Sequence, residues 1–119
     1  MKIDKYFERI QLSAAPSSNE SGLYELQSSQ LRNIPFENID CVLKRTIHLD
    51  LESLEKKLLE QKRGGYCFEL NGIFSFVLEQ LKFSSRPLLA RVMYRGTGIN
   101  SRTHIILLVT INGKNYIAD

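Results

Sequence analysis

No apolar run in the sequence approaches the ~20 residues that a membrane span needs. The opening MKIDKYFERI is charged and lacks the continuous apolar stretch of a secretory signal. Both absences point to a cytoplasmic protein with no membrane partner. There is no Lys/Arg block either. The formal net charge of +3 is spread along the chain, which argues against nucleic acid as a partner and is compatible with an anionic small ligand without demanding one. Cysteine and histidine are scarce. Cys41, Cys67, His48 and His104 are scattered with no ligand spacing, so no metal is expected, and in a reducing compartment the thiols are expected free. Repeats and low-complexity segments are absent. What remains is ordinary globular composition, 43% hydrophobic and 24% charged over 119 residues. That is long enough for one domain with a core and too short for an enzyme of several domains.

Ile3, Tyr6, Phe7 and Ile10 fall at helical spacing. After the polar connector SAAPSSNESG, Leu23, Leu26, Gln27 and Leu31 suggest a second helix, stopping ahead of Pro35 because the residue before a proline avoids the α region. IPFENIDCVL reads as a turn and an extended piece. DLESLEKKLLEQ reads as a helix capped by Asp50, with Leu51, Leu54 and Leu58 as its stripe. Gly64 and Gly65 break it. A fourth, largely buried helix follows with Leu70, Phe74, Val77, Leu78 and Leu81, and Cys67 lies in its first turn. The period then changes to two. LLARVMY reads as a strand, RGTGINSR as a loop, and THIILLVTI-NG-KNYIAD as a hairpin turning at Asn112 and Gly113 in type I′ geometry.

A cysteine in a first helical turn faces unpaired backbone N–H groups and the positive end of the helix, both of which favour the thiolate. Arg63 is a candidate to add to that effect, and the glycine pair lets a substrate approach the sulfur. On RGGYC alone, a buried core cysteine and a nucleophile are equal readings. The hairpin adds weight to the second. A two-residue turn at 112–113 places Asp119 opposite Ile106 and so diagonal to His104 on the same sheet face. The apolar IILLV around His104 predicts a partly buried imidazole–carboxylate pair. Thiol, imidazole and carboxylate would then form a Cys67–His104–Asp119 triad, in which the histidine takes the thiol proton and the aspartate orients the ring. Taken singly, His104 is equally well a structural histidine and Asp119 a frayed end.

Other candidates are weaker. Arg95–Gly98 lacks the third glycine and the helix of a dinucleotide fingerprint and reads as a loop. His48 is expected in a loop and Cys41 in the core. Glu37, charged in an apolar context, should be paired; Arg9 and Arg63 are the candidate partners, with Arg9 favoured and Arg63 assigned to the start of the cysteine helix.

IPFENID, RGGYCFELNG, THIILLV with NYIAD, and YFERI near the start together resemble the N-terminal part of an arylamine N-acetyltransferase, over essentially the whole chain. The resemblance implies an α+β fold. A helical bundle carrying the cysteine (1–82) is followed by the first antiparallel strands of a β-barrel (83–119), in a cysteine-protease-like arrangement that is truncated here. It implies that Cys67, His104 and Asp119 are catalytic; Arg9, Glu37 and Arg63 are expected, from the residues themselves, as structural support. It implies ping-pong chemistry with acetyl-CoA as co-substrate, an arylamine or arylhydrazine as acceptor, and no permanently bound cofactor. Members of that family are more than twice this length, and the chain stops on Asp119, so transfer is expected weak or absent and the Asp119 end frayed. A rival reading is a non-catalytic fragment whose open sheet edge self-associates as a homo-oligomer or docks a complementary chain. A thiol hydrolase of the papain or transglutaminase type is a further alternative.

Overall fold

The computed structural model describes residues 1–93 and 101–119. The RGTG motif lies outside the described residues. The helices come first: α1 Ile3–Ile10, α2 Glu20–Asn33, α3 Ile39–Val42, α4 Leu51–Leu54 and α5 Cys67–Gln80. Three strands follow, β1 Ser84–Ala90, β2 His104–Ile111 and β3 Lys114–Ala118, forming one antiparallel sheet in the order β1-β2-β3. The α+β expectation holds.

The first helix buries Tyr6, Phe7 and Ile10, the face its spacing predicts. The second starts on Asn19, whose Oδ1 accepts from the Gly22 N–H at 2.8 Å, and ends at Asn33, ahead of Pro35. Its Leu23 and Leu26 join the core, while Leu31 is exposed. Asp50 caps α4 as expected, accepting from the Ser53 N–H at 2.9 Å. That helix does not run on in α geometry. Glu55–Glu60 forms a π turn, closed by bonds such as Gln61 N–H to the Lys56 carbonyl at 2.9 Å. Periodicity reports that apolar residues share a face, and Leu54 and Leu58 are buried as a helix of either pitch would bury them.

The core lies where α5 crosses the sheet. Ile73, Phe74, Val77 and Leu78 pack with Leu107, Val109, Ile111 and Ala118, and α1, α2 and the π turn close the other side. Removing each of the larger of these side chains from water contributes roughly 1.5–3 kcal/mol, so this layer fixes the angle between the cysteine helix and β2. The hairpin has the expected register, Ile111↔Lys114 through Leu107↔Ala118. Asn112 and Gly113 both have positive φ, 50° and 76°, as a type I′ turn requires.

Three expectations fail. IPFENIDCVL is not extended beyond Phe36, which makes a single parallel bridge to Gly65; Ile39–Val42 is a helical turn. That turn leaves Cys41 exposed, not in the core. The first strand begins at Ser84, four residues before LLARVMY, and ends at Ala90. The added residues include Pro87. As an edge strand, β1 can hold a residue without an N–H, and Pro87 sits opposite Leu107.

Candidate active site

Cys67 is the first residue of α5 and is buried. Two glycines bring it there. A Cβ on Gly64 would stand 2.0 Å from the Pro35 carbonyl oxygen, so only glycine permits the segments 35–37 and 64–65 to touch. They are joined by Glu37 N–H to the Gly65 carbonyl (2.9 Å) and Gly65 N–H to the Pro35 carbonyl (3.2 Å). Glu69, in the first turn, accepts from the Tyr66 N–H at 3.0 Å and so satisfies one orphan donor at the start of the helix.

His104 is the first residue of β2, and its Nε2 lies 2.7 Å from Asp119 Oδ2. Asp119 follows the Leu107↔Ala118 rung, which puts it opposite Ile106 as the turn predicts. The pair is less buried than expected, with side-chain exposures of 28% for His104 and 47% for Asp119. With Nε2 engaged, Nδ1 is the ring nitrogen left by Asp119 for a thiol proton. Cys67 Sγ is 4.0 Å from the Thr103 carbonyl, one residue ahead of His104. Cys67, His104 and Asp119 line one cavity of about 450 Å³, with Leu31, Ile34, Phe36 and Leu70 as its apolar wall.

Sequence reasoning missed the groups behind Asp119. Buried Asn71 donates from Nδ2 to the Ile105 carbonyl (2.8 Å) and to Asp119 Oδ1 (3.3 Å). Gln27 donates from Nε2 to the Asp119 carbonyl at 2.7 Å. Asn71 is four residues after Cys67, hence on the same helix face, and that spacing was the available signal.

The supporting residues are placed differently from expectation. Arg9 does not pair with Glu37. Its guanidinium donates to the carbonyls of Leu58 (2.9 Å), Asn33 and Lys62, tying α1 to the ends of α2 and the π turn. Glu37 pairs with Arg63 at 2.5 Å. Arg63 is also held by Asp40 at 3.1 Å, so its charge is committed to two carboxylates, and these raise its pKa. His48 is an exposed loop residue, as expected. Among the described residues no group of His, Cys, Asp and Glu is arranged to hold a metal ion, and no helix is long and apolar enough to cross a membrane.

A sequence model of the N-acetyltransferase family matches residues 21–119. The chain belongs to the N-acetyltransferase family. It is 44% identical over 118 residues to the arylamine N-acetyltransferase of Escherichia coli (strain K12), covering 98% of this chain and 42% of that protein. The arylamine N-acetyltransferase structure from Salmonella typhimurium superposes with a TM-score of 0.93 at 41% identity, over 98% of this chain and 43% of that one. The Mycobacterium marinum arylamine N-acetyltransferase in complex with CoA gives 0.88 at 32% identity, over 98% and 45%. The chain thus spans somewhat under half the length of these relatives.

Proposed function

We propose that Cys67 is an acetyl acceptor in arylamine N-acetyltransferase chemistry, with His104 as general base and acid and Asp119 as the carboxylate that orients it. The observation that carries this is the 2.7 Å His104–Asp119 contact in the same cavity that Cys67 lines. His104 Nδ1 takes the thiol proton. The Cys67 thiolate attacks the thioester carbonyl of acetyl-CoA, the carbon–sulfur bond to CoA breaks, and the proton returns to the leaving CoA thiolate. An arylamine or arylhydrazine then attacks the Cys67 acetyl thioester. Its nitrogen loses a proton to His104, which returns it to the Cys67 sulfur. The relative solved with CoA supports the donor, and the relatives' names support the acceptor class. The apolar wall from Leu31 to Leu70 suits an aryl ring.

Intact mass after brief exposure to acetyl-CoA, and separately to a small aryl acetate, tests the reading with Cys67→Ala as control. One acetyl group gained from both donors and lost in the variant supports it. Labelling by the aryl ester alone leaves a nucleophile without a coenzyme site. No labelling overturns it and moves the assembly reading ahead. One observation favours that second reading: Leu89 and Ile117 on the two edge strands are 54% and 60% exposed, so pairing with another chain would bury apolar surface. A monomer in sedimentation would count against it.

A further inference from the structure

Beneath the start of α5 lies a chain of charges that the proposed reaction does not use. Lys57, in the π turn, places its ammonium 2.7 Å from Glu69 Oε1 and 2.8 Å from Asp40 Oδ2. Asp40 is held on its other oxygen by Arg63, and Arg63 holds Glu37, whose Oε2 accepts from the Gly64 N–H at 3.3 Å. The line runs from the residue before Cys67, through Glu69, Lys57, Asp40, Arg63 and Glu37, back to the glycine pair.

We propose that Lys57 is a positioning residue for Cys67, acting through Glu69 on the helix side and Asp40 on the side of the 35–40 segment. The inference rests on the reading of Cys67 as nucleophile. Glu69 is 2% exposed, and a carboxylate so buried persists only when paired. One of its oxygens holds the Tyr66 N–H and the other holds Lys57, so the cation is what keeps a charged acceptor against the peptide that leads into Cys67. Glu69 is also packed on backbone: a Cβ at Gly65 would stand 2.8 Å from Glu69 Cβ. Without Lys57 the carboxylate must take up a proton or turn toward water. Either change withdraws the charged acceptor from the first turn of α5. On the other side, Lys57, Arg63 and, more loosely at 3.4 Å, Arg45 hold Asp40, and with it the segment that carries Phe36 along the cavity wall. One ammonium thereby touches both the start of α5 and the segment that carries the wall. Single π turns recur at functional positions, and this one carries Lys57.

The test is carried out on the full chain with Cys41→Ser, because exposed Cys41 would otherwise react. Cys67 alkylation by iodoacetamide is timed by mass at neutral pH, with helix content followed by circular dichroism. Lys57→Met is expected to slow alkylation on the order of tenfold, the scale on which misplacing a reacting group acts, with helix content kept. Lys57→Arg should restore the rate, and Lys57→Met with Glu69→Gln should be no slower than Lys57→Met alone, because both changes withdraw the same charged acceptor. In acetyl-CoA labelling the saturated rate should fall while the half-saturating concentration stays. An unchanged alkylation rate in folded Lys57→Met, or additional slowing in the double variant beyond that of Lys57→Met, overturns the proposal. If Lys57→Met does not fold, Asp40→Asn cuts the other half of the bridge, and an unchanged rate there overturns it too. Alkylation needs no acetyl donor. Wild-type chain that alkylates but never acetylates would therefore sink the transferase reading while leaving the positioning role measurable.

Discussion

Replacing His104 by glutamine keeps a hydrogen-bonding side chain beside Asp119 but removes the ring nitrogen that would take the thiol proton. Cys67 acetylation in His104→Gln is therefore expected to slow by about 10²–10⁴-fold, read as the time course of mass gain, with thermal stability little changed because the imidazole is only half-buried. Asn71→Ala is expected to do the reverse in part. It removes the hydrogen bond to the Ile105 carbonyl, at a cost of roughly 0.5–1.5 kcal/mol in unfolding free energy, and frees one oxygen of Asp119. Its rate loss should be smaller than that of His104→Gln. A rate loss as large would make Asn71 more than a support. At this scale the sequence was readable in placement: one cysteine at a helix start, and one histidine and one aspartate brought together by a countable register. Asn71 offered only its spacing from Cys67 and Lys57 offered nothing, because asparagine and lysine are ordinary on helices and only tertiary packing shows which of them are buried. Glu37 was rightly expected to need a partner, but the choice between Arg9 and Arg63 depended on which carbonyls α2 and the π turn left open to Arg9.

Elements meet at Gly64, and two glycine substitutions separate close approach from mere flexibility. Gly64→Ala would drive a Cβ into the Pro35 carbonyl at 2.0 Å, so the 35–37 and 64–65 segments must part. We expect a loss of several kcal/mol, comparable to overpacking a core, and loss of Cys67 labelling. Gly72→Ala, inside α5, meets only Leu54 Cδ1 at 3.4 Å and should change stability by about 1 kcal/mol or less, with labelling retained. Urea unfolding of the two variants checks both; equal effects would mean the Gly64 contact is not what fixes α5. The hairpin was legible because Asn-Gly dictates both positive φ angles and, through them, the whole register. The first strand was legible but its start at Ser84 was not, since a strand through Pro87 is tolerated at a sheet edge and sheet order is a tertiary fact. The π turn gave no signal because its apolar spacing is shared with an ordinary helix.

Across the whole molecule, carboxylates held by cations or amides set the response to acid. Hydrogen bonds from Lys57 and then Arg63 pull the Asp40 pKa down to about 2. Hydrogen bonds from Ser53 lower that of Asp50, and the bond from Lys5 lowers that of Glu55. On Lys57 itself burial opposes the charge, but Asp40 and Glu69 outweigh it and the pKa is raised. A carboxyl group more acidic in the folded than in the unfolded chain binds fewer protons when folded. Its stabilisation is complete above the unfolded pKa, near 4, and is lost as pH falls through the folded value. The lysine's raised pKa works at the opposite end: its contribution is full below about 10 and fades above. The urea midpoint should accordingly be flat through neutral pH and fall between about pH 4 and pH 2. In Asp40→Asn the midpoint should be lower at pH 7, and its decline over that acid window shallower, because the group that titrates there is gone. Parallel acid limbs for the two proteins would mean that Asp40 holds no cation in solution. Because Asp40 is the joint between Lys57 and Arg63, the bridge from the 35–40 segment to Cys67 would then be absent as well.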